Sequence, residues 1–70
     1  MNLKETQLKN LNIVINSSLR AVEMDIESIK KFRSYYMKGS YYYNHYDSIL
    51  KRLNRTRFYL KRMLSMAKGI

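Results

Sequence analysis

Few side chains in this sequence are spaced for acid–base or metal chemistry. His45 is the only histidine, and it stands two positions before Asp47. Residues two apart on a helix point in different directions, so these groups are not aligned as an acid–base pair. Glu23 and Glu27, four apart, look like half of a carboxylate di-metal site, but the Glu-x-x-His element of such sites is missing. The sequence therefore predicts no catalytic residue, no metal and no cofactor.

The chemistry that the chain does favour is contact with anions. It carries 14 Lys or Arg residues against five acids, for a net charge of +9. Positions 38–70 hold eight of the basic residues and one acid, so this half carries +7 and positions 1–37 carry +2. Most of the predicted anion-binding residues are arginines, whose planar guanidinium suits phosphate oxygens and base edges. The set is Lys51, Arg52, Arg55, Arg57, Lys61 and Arg62.

Phe58 interrupts this basic set on the side away from the predicted core. An aromatic ring on a basic surface can stack on an unpaired base or wedge into a base step. It can equally pack against another subunit or a protein partner, and packing in the core or in an interface is the reading that we prefer for the ring alone. For the set as a whole, nucleic acid is the first hypothesis and an acidic protein surface the second. Solvation, with partial neutralisation by acids of the first half, or anionic lipid is the third.

Six of the seven tyrosines bracket the segment 38–40. Tyrosine combines a large rigid ring with a hydrogen-bonding tip, and it is common at recognition surfaces. We predict that Tyr36, Tyr42 and Tyr46 cap one end of the core. The other tyrosines of the cluster would be exposed as protein contacts, and these are Tyr35, Tyr41 and Tyr43.

Two helices must position these residues, because apolar residues recur every three or four positions in each half. The sequence predicts an all-α fold, an antiparallel two-helix hairpin with helices over about 3–37 and 41–68. Gly39 would form the turn and Gly69 would end the second helix. The stripe of the first helix is Leu8, Leu11, Ile15, Leu19, Val22, Ile26, Ile29, Phe32 and Tyr36. The stripe of the second is Tyr42, Tyr46, Ile49, Leu53, Thr56, Leu60, Met63 and Ala67, widened by Leu50 and Leu64.

Two local features leave alternatives open. The segment Asn16-Ser17-Ser18 is a poor helix interior, and a break there would give three helices. We favour one long helix, because the apolar stripe continues through this segment in phase. Ser40 and Asn44 are alternative N-caps of the second helix.

Arg33 falls inside the apolar stripe of the first helix, close to the predicted turn. In an antiparallel hairpin centred at 39–40, position 33 lies across from position 46 or so. That alignment places Arg33 beside Asp47, the only acid of the second half. We predict a structural ion pair that fixes the register of the hairpin.

The apolar arc of the first helix is wider than one partner helix covers. Ile13, Met24 and Tyr35 fall outside its stripe, so the arc spans about half of the helical cylinder. Seventy residues in a single domain, 1–70, are also close to the lower limit for a self-sufficient core. We therefore predict a homodimer that forms a four-helix bundle.

Composition adds an expectation about origin and location. No apolar run approaches the ~18 residues of a membrane span, and the N-terminus lacks the layout of a signal peptide, so we expect a cytoplasmic protein. Abundant Asn, Lys, Ile and Tyr without Pro or Trp is typical of an AT-rich genome. Together with the short length, this favours a phage or mobile-element accessory protein. The leading hypothesis is a small, non-enzymatic nucleic-acid-binding protein. The alternative is an interaction module or inhibitor that binds an acidic surface of a larger host or viral protein through the tyrosine-rich tip.

Overall fold

The computed structural model describes residues 3–68, and over that range the chain forms two antiparallel α-helices joined by one turn. Helix α1 spans Leu3–Ser34 and helix α2 spans Tyr41–Lys68. The helices pack against each other in a rod that measures 56 × 15 × 12 Å. The predicted all-α hairpin is confirmed. Gly69, the predicted stop of the second helix, lies outside the described residues.

Helix α1 is continuous but shorter than predicted. It runs through positions 16–18 without a break, as favoured above. There the Asn16 side-chain amide donates a hydrogen bond of 2.9 Å to the carbonyl of Asn12, one turn back in the same helix. The helix ends at Ser34, three residues before the predicted end. The amides of Tyr35 and Tyr36 bond to carbonyls three residues back, at 3.2 Å each, and this tightens and ends the last turn.

The turn depends on Gly39, and Ser40 caps the helix that follows. The Ser40 amide donates to the carbonyl of Met37 at 3.0 Å and closes a β-turn. Gly39 stands at its third position with φ of +90°, where a type II turn requires a positive φ. Ser40 Oγ accepts the amide of Tyr43 at 3.3 Å, and its carbonyl accepts the amide of Asn44 at 3.0 Å. Ser40, rather than Asn44, is therefore the N-cap of α2.

The helices meet along a seam where partly or fully buried residues recur by threes and fours. This alternation is the pattern of a coiled coil. Within the described residues, the hydrophobic side chains classed as buried are Ile15, Ile26, Leu50 and Ala67. The seam of α1 consists of Leu8, Asn12, Ile15, Leu19, Val22, Ile26, Ile29 and Arg33. The seam of α2 consists of Tyr43, Tyr46, Leu50, Leu53, Arg57, Leu60, Leu64 and Ala67.

This seam is rotated relative to the predicted apolar stripes. In α1, Asn12 lies in the seam in place of Leu11. Arg33 likewise takes the place of Phe32, because it reaches Asp47 on the facing helix. In α2, Tyr43 and Arg57 take the places predicted for Tyr42 and Thr56. Leu50 and Leu64, which widened the predicted stripe, lie in the seam itself in place of Ile49 and Met63. The displaced apolar residues therefore lie beside the seam and not within it.

The seam separates two flanks of different chemistry. In an antiparallel helix pair, the residues next to the seam on one side of α1 lie beside those on the matching side of α2. The polar flank consists of Lys9, Asn16, Glu23, Lys30, Asp47, Asn54 and Lys61. The apolar flank consists of Leu11, Ser18, Asp25, Phe32, Tyr42, Ile49, Thr56 and Met63. Ring contacts near the turn lie on the apolar side of the seam. The Phe32 and Tyr46 centroids are 6.0 Å apart across the two helices, and Tyr36, in the connecting segment, lies 5.1 Å from Tyr42.

Candidate nucleic-acid interface

The outer face of α2, opposite the seam, carries most of the predicted anion-binding residues. A helix of 28 residues is about 42 Å long at the standard rise. Because basic residues occur in every turn from position 51 to position 62, this part of the face is a continuous cationic surface and not a single cluster. Its exposed members are Lys51, Arg52, Arg55, Lys61 and Arg62.

Little of this charge is neutralised within the hairpin. Lys51 Nζ lies 3.4 Å from Asp47 Oδ2. Glu27, on α1, forms an ion pair with Lys30 of its own helix at 3.9 Å. Across residues 3–68, no acid lies within ion-pair distance of the other exposed cations of the outer face. The face therefore presents nearly its full positive charge to solvent, where it attracts anions.

Arg57 does not belong to this exposed face. The sequence assigned it to the anion-binding set, but the structure places it in the seam, between Leu53 and Leu60, where it is partly buried. Its place follows from the rotation of α2, because the predicted stripe had Thr56 at this point. Arg57 is therefore left out of the candidate interface.

An exposed aromatic pair lies on the same face. Phe58 is 61% exposed, so it packs into no core within the described chain. Its ring meets that of Tyr59 edge to face, with 5.7 Å between centroids, and Tyr59 is 53% exposed. Tyr59 was not among the predicted contact residues, although its position next to Phe58 was a visible signal. The structure thus joins two aromatic rings to the basic surface.

The tip of the hairpin exposes two of the three tyrosines that were predicted as contacts. Tyr35 is 66% and Tyr41 is 77% exposed. Tyr43 is not exposed as predicted, because it lies in the seam and the Arg33 guanidinium sits 5.3 Å from its ring centre. Tyr42 is the more exposed neighbour, although it was predicted to cap the core.

The structure brings Arg33 and Asp47 together on the polar flank. Arg33 Nη1 lies 2.7 Å from Asp47 Oδ1, and about 30% of each side chain is exposed (29% and 31%). The hydrogen bond from Arg33, assisted by Lys51 on the other carboxylate oxygen, outweighs partial desolvation and lowers the pKa of Asp47. This network joins the last turn of α1 to the second turn of α2.

Other chemistry finds little support in residues 3–68. No group of three or more His, Asp or Glu side chains in this range is arranged to hold a metal ion. The His45 ring contacts Tyr41 and Tyr46, with centroids 6.4 and 5.5 Å away. Neither helix, as far as it is described, has a segment long and apolar enough to cross a membrane. Comparison with protein-family models, curated proteins and solved structures gives no match to this chain.

Proposed function

We propose that this chain is a small, non-enzymatic nucleic-acid-binding protein whose contact surface is the outer face of α2. The observation that carries the proposal is the exposed cationic surface, in which only Lys51 has an acidic partner within the described residues. Lys51, Arg55 and Arg62 contact phosphates along the centre of this face, with Arg52 and Lys61 at its two edges. Such contacts release counterions and give affinity without base specificity.

The aromatic pair adds a preference for unpaired strands. Phe58 and Tyr59 stand among the phosphate-contacting residues, where their faces can stack on bases. Stacking contributes ~1–3 kcal/mol per base and tolerates any sequence. Phe58→Ala should therefore weaken binding to single strands more than binding to duplex, as measured by fluorescence anisotropy at one salt concentration.

Charge reversal tests the proposal directly. Arg55→Glu combined with Arg62→Glu should weaken binding to DNA and RNA of any sequence and lower the slope of log affinity against log salt by about 2. The matched control is Arg20→Glu with Lys31→Glu, which makes the same charge change at exposed positions of α1. If both double variants lose affinity equally, the surface is not on α2. If the unaltered chain binds no DNA or RNA at low salt, the proposal fails.

A second function is favoured by the exposed tyrosines. Tyr35 and Tyr41 offer rigid aromatic contact area at the tip, and such residues anchor protein interfaces. In this alternative the chain binds an acidic surface of a larger host or viral protein. Tyr35→Ala with Tyr41→Ala should then abolish capture of that protein from a host extract and leave the salt dependence of polyanion binding unchanged. Partners lost after nuclease treatment would support nucleic-acid binding instead.

The biological setting remains part of the proposal. We infer a homodimer in the cytoplasm, where nucleic acid is accessible, and a role as an accessory regulator of a phage or mobile element. The compositional bias toward Asn, Lys, Ile and Tyr supports the last of these inferences.

A further inference from the structure

The apolar flank exposes more hydrophobic surface to solvent than a complete helix–helix interface would. Leu11, Phe32, Tyr42 and Met63 are all between 44% and 55% exposed and lie on this one side of the seam. At the end far from the turn, Leu11 and Met63 line an apolar concavity of about 210 Å³ that both helices share. These residues form two apolar patches, one at each end of the flank, with Ser18, Asp25 and Thr56 between them. Exposed apolar patches mark interaction sites.

The total area supports a protein-sized occupant. The chain exposes 5929 Å², whereas a compact monomer of its length exposes about 4,700 Å² on the usual scaling. The excess exceeds the ~800 Å² that each partner contributes to a standard protein interface. The structure therefore has enough surplus surface on a single hairpin for one stable contact.

We propose that a second copy of this chain covers the apolar flank, with the two hairpins side by side and their turns at the same end. Each α1 then faces the α2 of the other copy. This proposal makes the inferred homodimer specific in surface and orientation, and it holds with or without nucleic-acid binding.

Charge complementarity favours a second copy of this chain as the partner and favours one orientation of that copy. Positions 38–70 carry +7 and positions 1–37 carry +2, so pairing α1 with the partner's α2 keeps the two strongly basic helices apart. The opposite orientation places the two α2 helices next to each other. Asp25, on the apolar flank, and Arg52, at its edge, form no ion pair within the hairpin. With the turns at the same end, Asp25 and Arg52 from different copies come to similar heights and carry opposite charges.

Sedimentation of the full chain without nucleic acid tests the surface. The unaltered protein should be a dimer at micromolar concentration. Met63→Lys should raise its dissociation constant at least tenfold or so, because it buries a charge in the contact. Met24→Lys is the matched control, since Met24 is also exposed but lies on the outer face of α1; it should leave the dissociation constant unchanged. A monomeric unaltered protein throughout the micromolar range would overturn the proposal. Equal effects of the two substitutions on the dissociation constant would also overturn it.

A spin label on the turn tests the orientation independently of any interface variant. The chain has no cysteine, so Lys38→Cys gives a single labelling site. With the turns at the same end, packed helices keep the two labels within about 30 Å, the label arms included. With the turns at opposite ends, the separation approaches the 56 Å length of the hairpin. A long distance in double electron–electron resonance would refute the proposed orientation.

Charge exchange tests the role of Asp25 and Arg52. Asp25→Arg alone and Arg52→Asp alone should each weaken the dimer, because each places like charges opposite one another. The double exchange should restore the dissociation constant to within about threefold of the original value. Failure of the double exchange to restore the dimer, with circular dichroism showing intact helices, would remove this pairing and the orientation argued from it.

Discussion

The two flanks of the hairpin border the same seam and do different work. On the polar flank, Asp47 pairs with Arg33 of the seam and Lys51 of the outer face, and its contact with Arg33 joins the helices near the turn. On the apolar flank, Phe32 and Tyr42 make ring contacts yet remain about half exposed. The difference teaches that the polar flank specifies how the helices align, whereas the apolar flank holds surface that one hairpin cannot bury.

The polar residues of the seam follow the same division. Asn12, Arg33 and Arg57 occupy the seam positions that lie toward the polar flank. The alternate positions, toward the apolar flank, are hydrophobic or aromatic, as at Ile15 and Leu53. Polar groups in a coiled-coil seam restrict register at some expense of stability. One side of the seam therefore selects the alignment of the two helices, and the other side supplies hydrophobic contact between them.

The largest effect should come from the seam that both flanks share. Leu50→Ala removes a side chain that is 3% exposed and should lower the free energy of unfolding by about 3 kcal/mol. Met24→Ala, at an exposed position outside both flanks, should change it by less than about 0.5 kcal/mol. Urea denaturation followed by circular dichroism measures both values. Similar losses for the two variants would show that the seam is not the common support of the flanks.

A smaller effect should separate the flanks themselves. Phe32→Ala on the apolar flank should cost about 1–2 kcal/mol, because it removes the contact with the Tyr46 ring and part of the buried area. Lys30→Ala on the polar flank breaks only an exposed ion pair with Glu27 and should cost less than about 0.5 kcal/mol. Added salt should erase the Lys30 effect and spare the Phe32 effect.

Protein concentration sharpens that comparison. If a second copy covers the apolar flank, the Phe32→Ala loss should grow as the concentration rises, because dimer formation stabilises only the folded state. The Lys30→Ala loss should not change. A Phe32 effect that is independent of concentration, measured by the same denaturation, would confine Phe32 to packing within one hairpin.

The sequence predicted the helices, their antiparallel order and most of the seam. The predicted stripes and the observed seam share several apolar positions, such as Ile15, Ile26, Leu53 and Leu60. The prediction failed where a polar residue and an apolar neighbour competed for one seam position, as Asn12 did with Leu11. Hydrophobicity alone favours the apolar neighbour, whereas the structure follows the strict alternation of threes and fours. That spacing would have revealed the seam of α1. In α2 the predicted stripe already alternated by threes and fours, so the contacts with α1, and not the spacing, decide which of the two patterns is buried.

The candidate site was less predictable for the same reason. The helix α2 is rotated by part of a turn relative to the predicted orientation. Arg57 therefore lies in the seam and not on the outer face, and Tyr43 is partly buried and not exposed. The central cations at Lys51, Arg55 and Arg62 lie opposite the seam, far enough from its edges that the rotation did not affect them. Whether a residue at the border between two surfaces is exposed or buried depends on the orientation of its helix, and tertiary contacts decide that orientation.

A substitution at Asn12 should stabilise the hairpin modestly, in contrast to the destabilising substitutions above. Its Oδ1 atom is buried and accepts no hydrogen bond from the described residues. Replacing an unpaired buried polar group by an apolar one should raise the free energy of unfolding by about 1 kcal/mol. Asn12→Leu is compared with Asn10→Leu, the same change at an exposed position of α1, which should be neutral. If Asn12→Leu is destabilising, its amide has a partner in solution and the polar side of the seam is fully satisfied.

The smallest effect should be the acid sensitivity of the polar flank. The hydrogen bond from Arg33, with help from Lys51, holds the folded-state pKa of Asp47 below its ordinary value. The unfolded chain therefore binds a proton at Asp47 at higher pH than the folded chain does. This contribution to stability is fully present above the unfolded pKa of about 3.9 and is lost as pH falls through the lower folded pKa.

Asp47→Asn provides the control, because it keeps the shape of the side chain and removes the titrating group. Thermal unfolding of the two proteins should differ most near neutral pH and converge in strong acid. The partial exposure of the Arg33–Asp47 pair keeps the difference small and makes it shrink with added salt. If the two pH profiles run parallel down to strong acid, Asp47 gains nothing from ionisation in the folded state. The polar flank would then owe its alignment to Ser40 and the turn, and not to this ion pair.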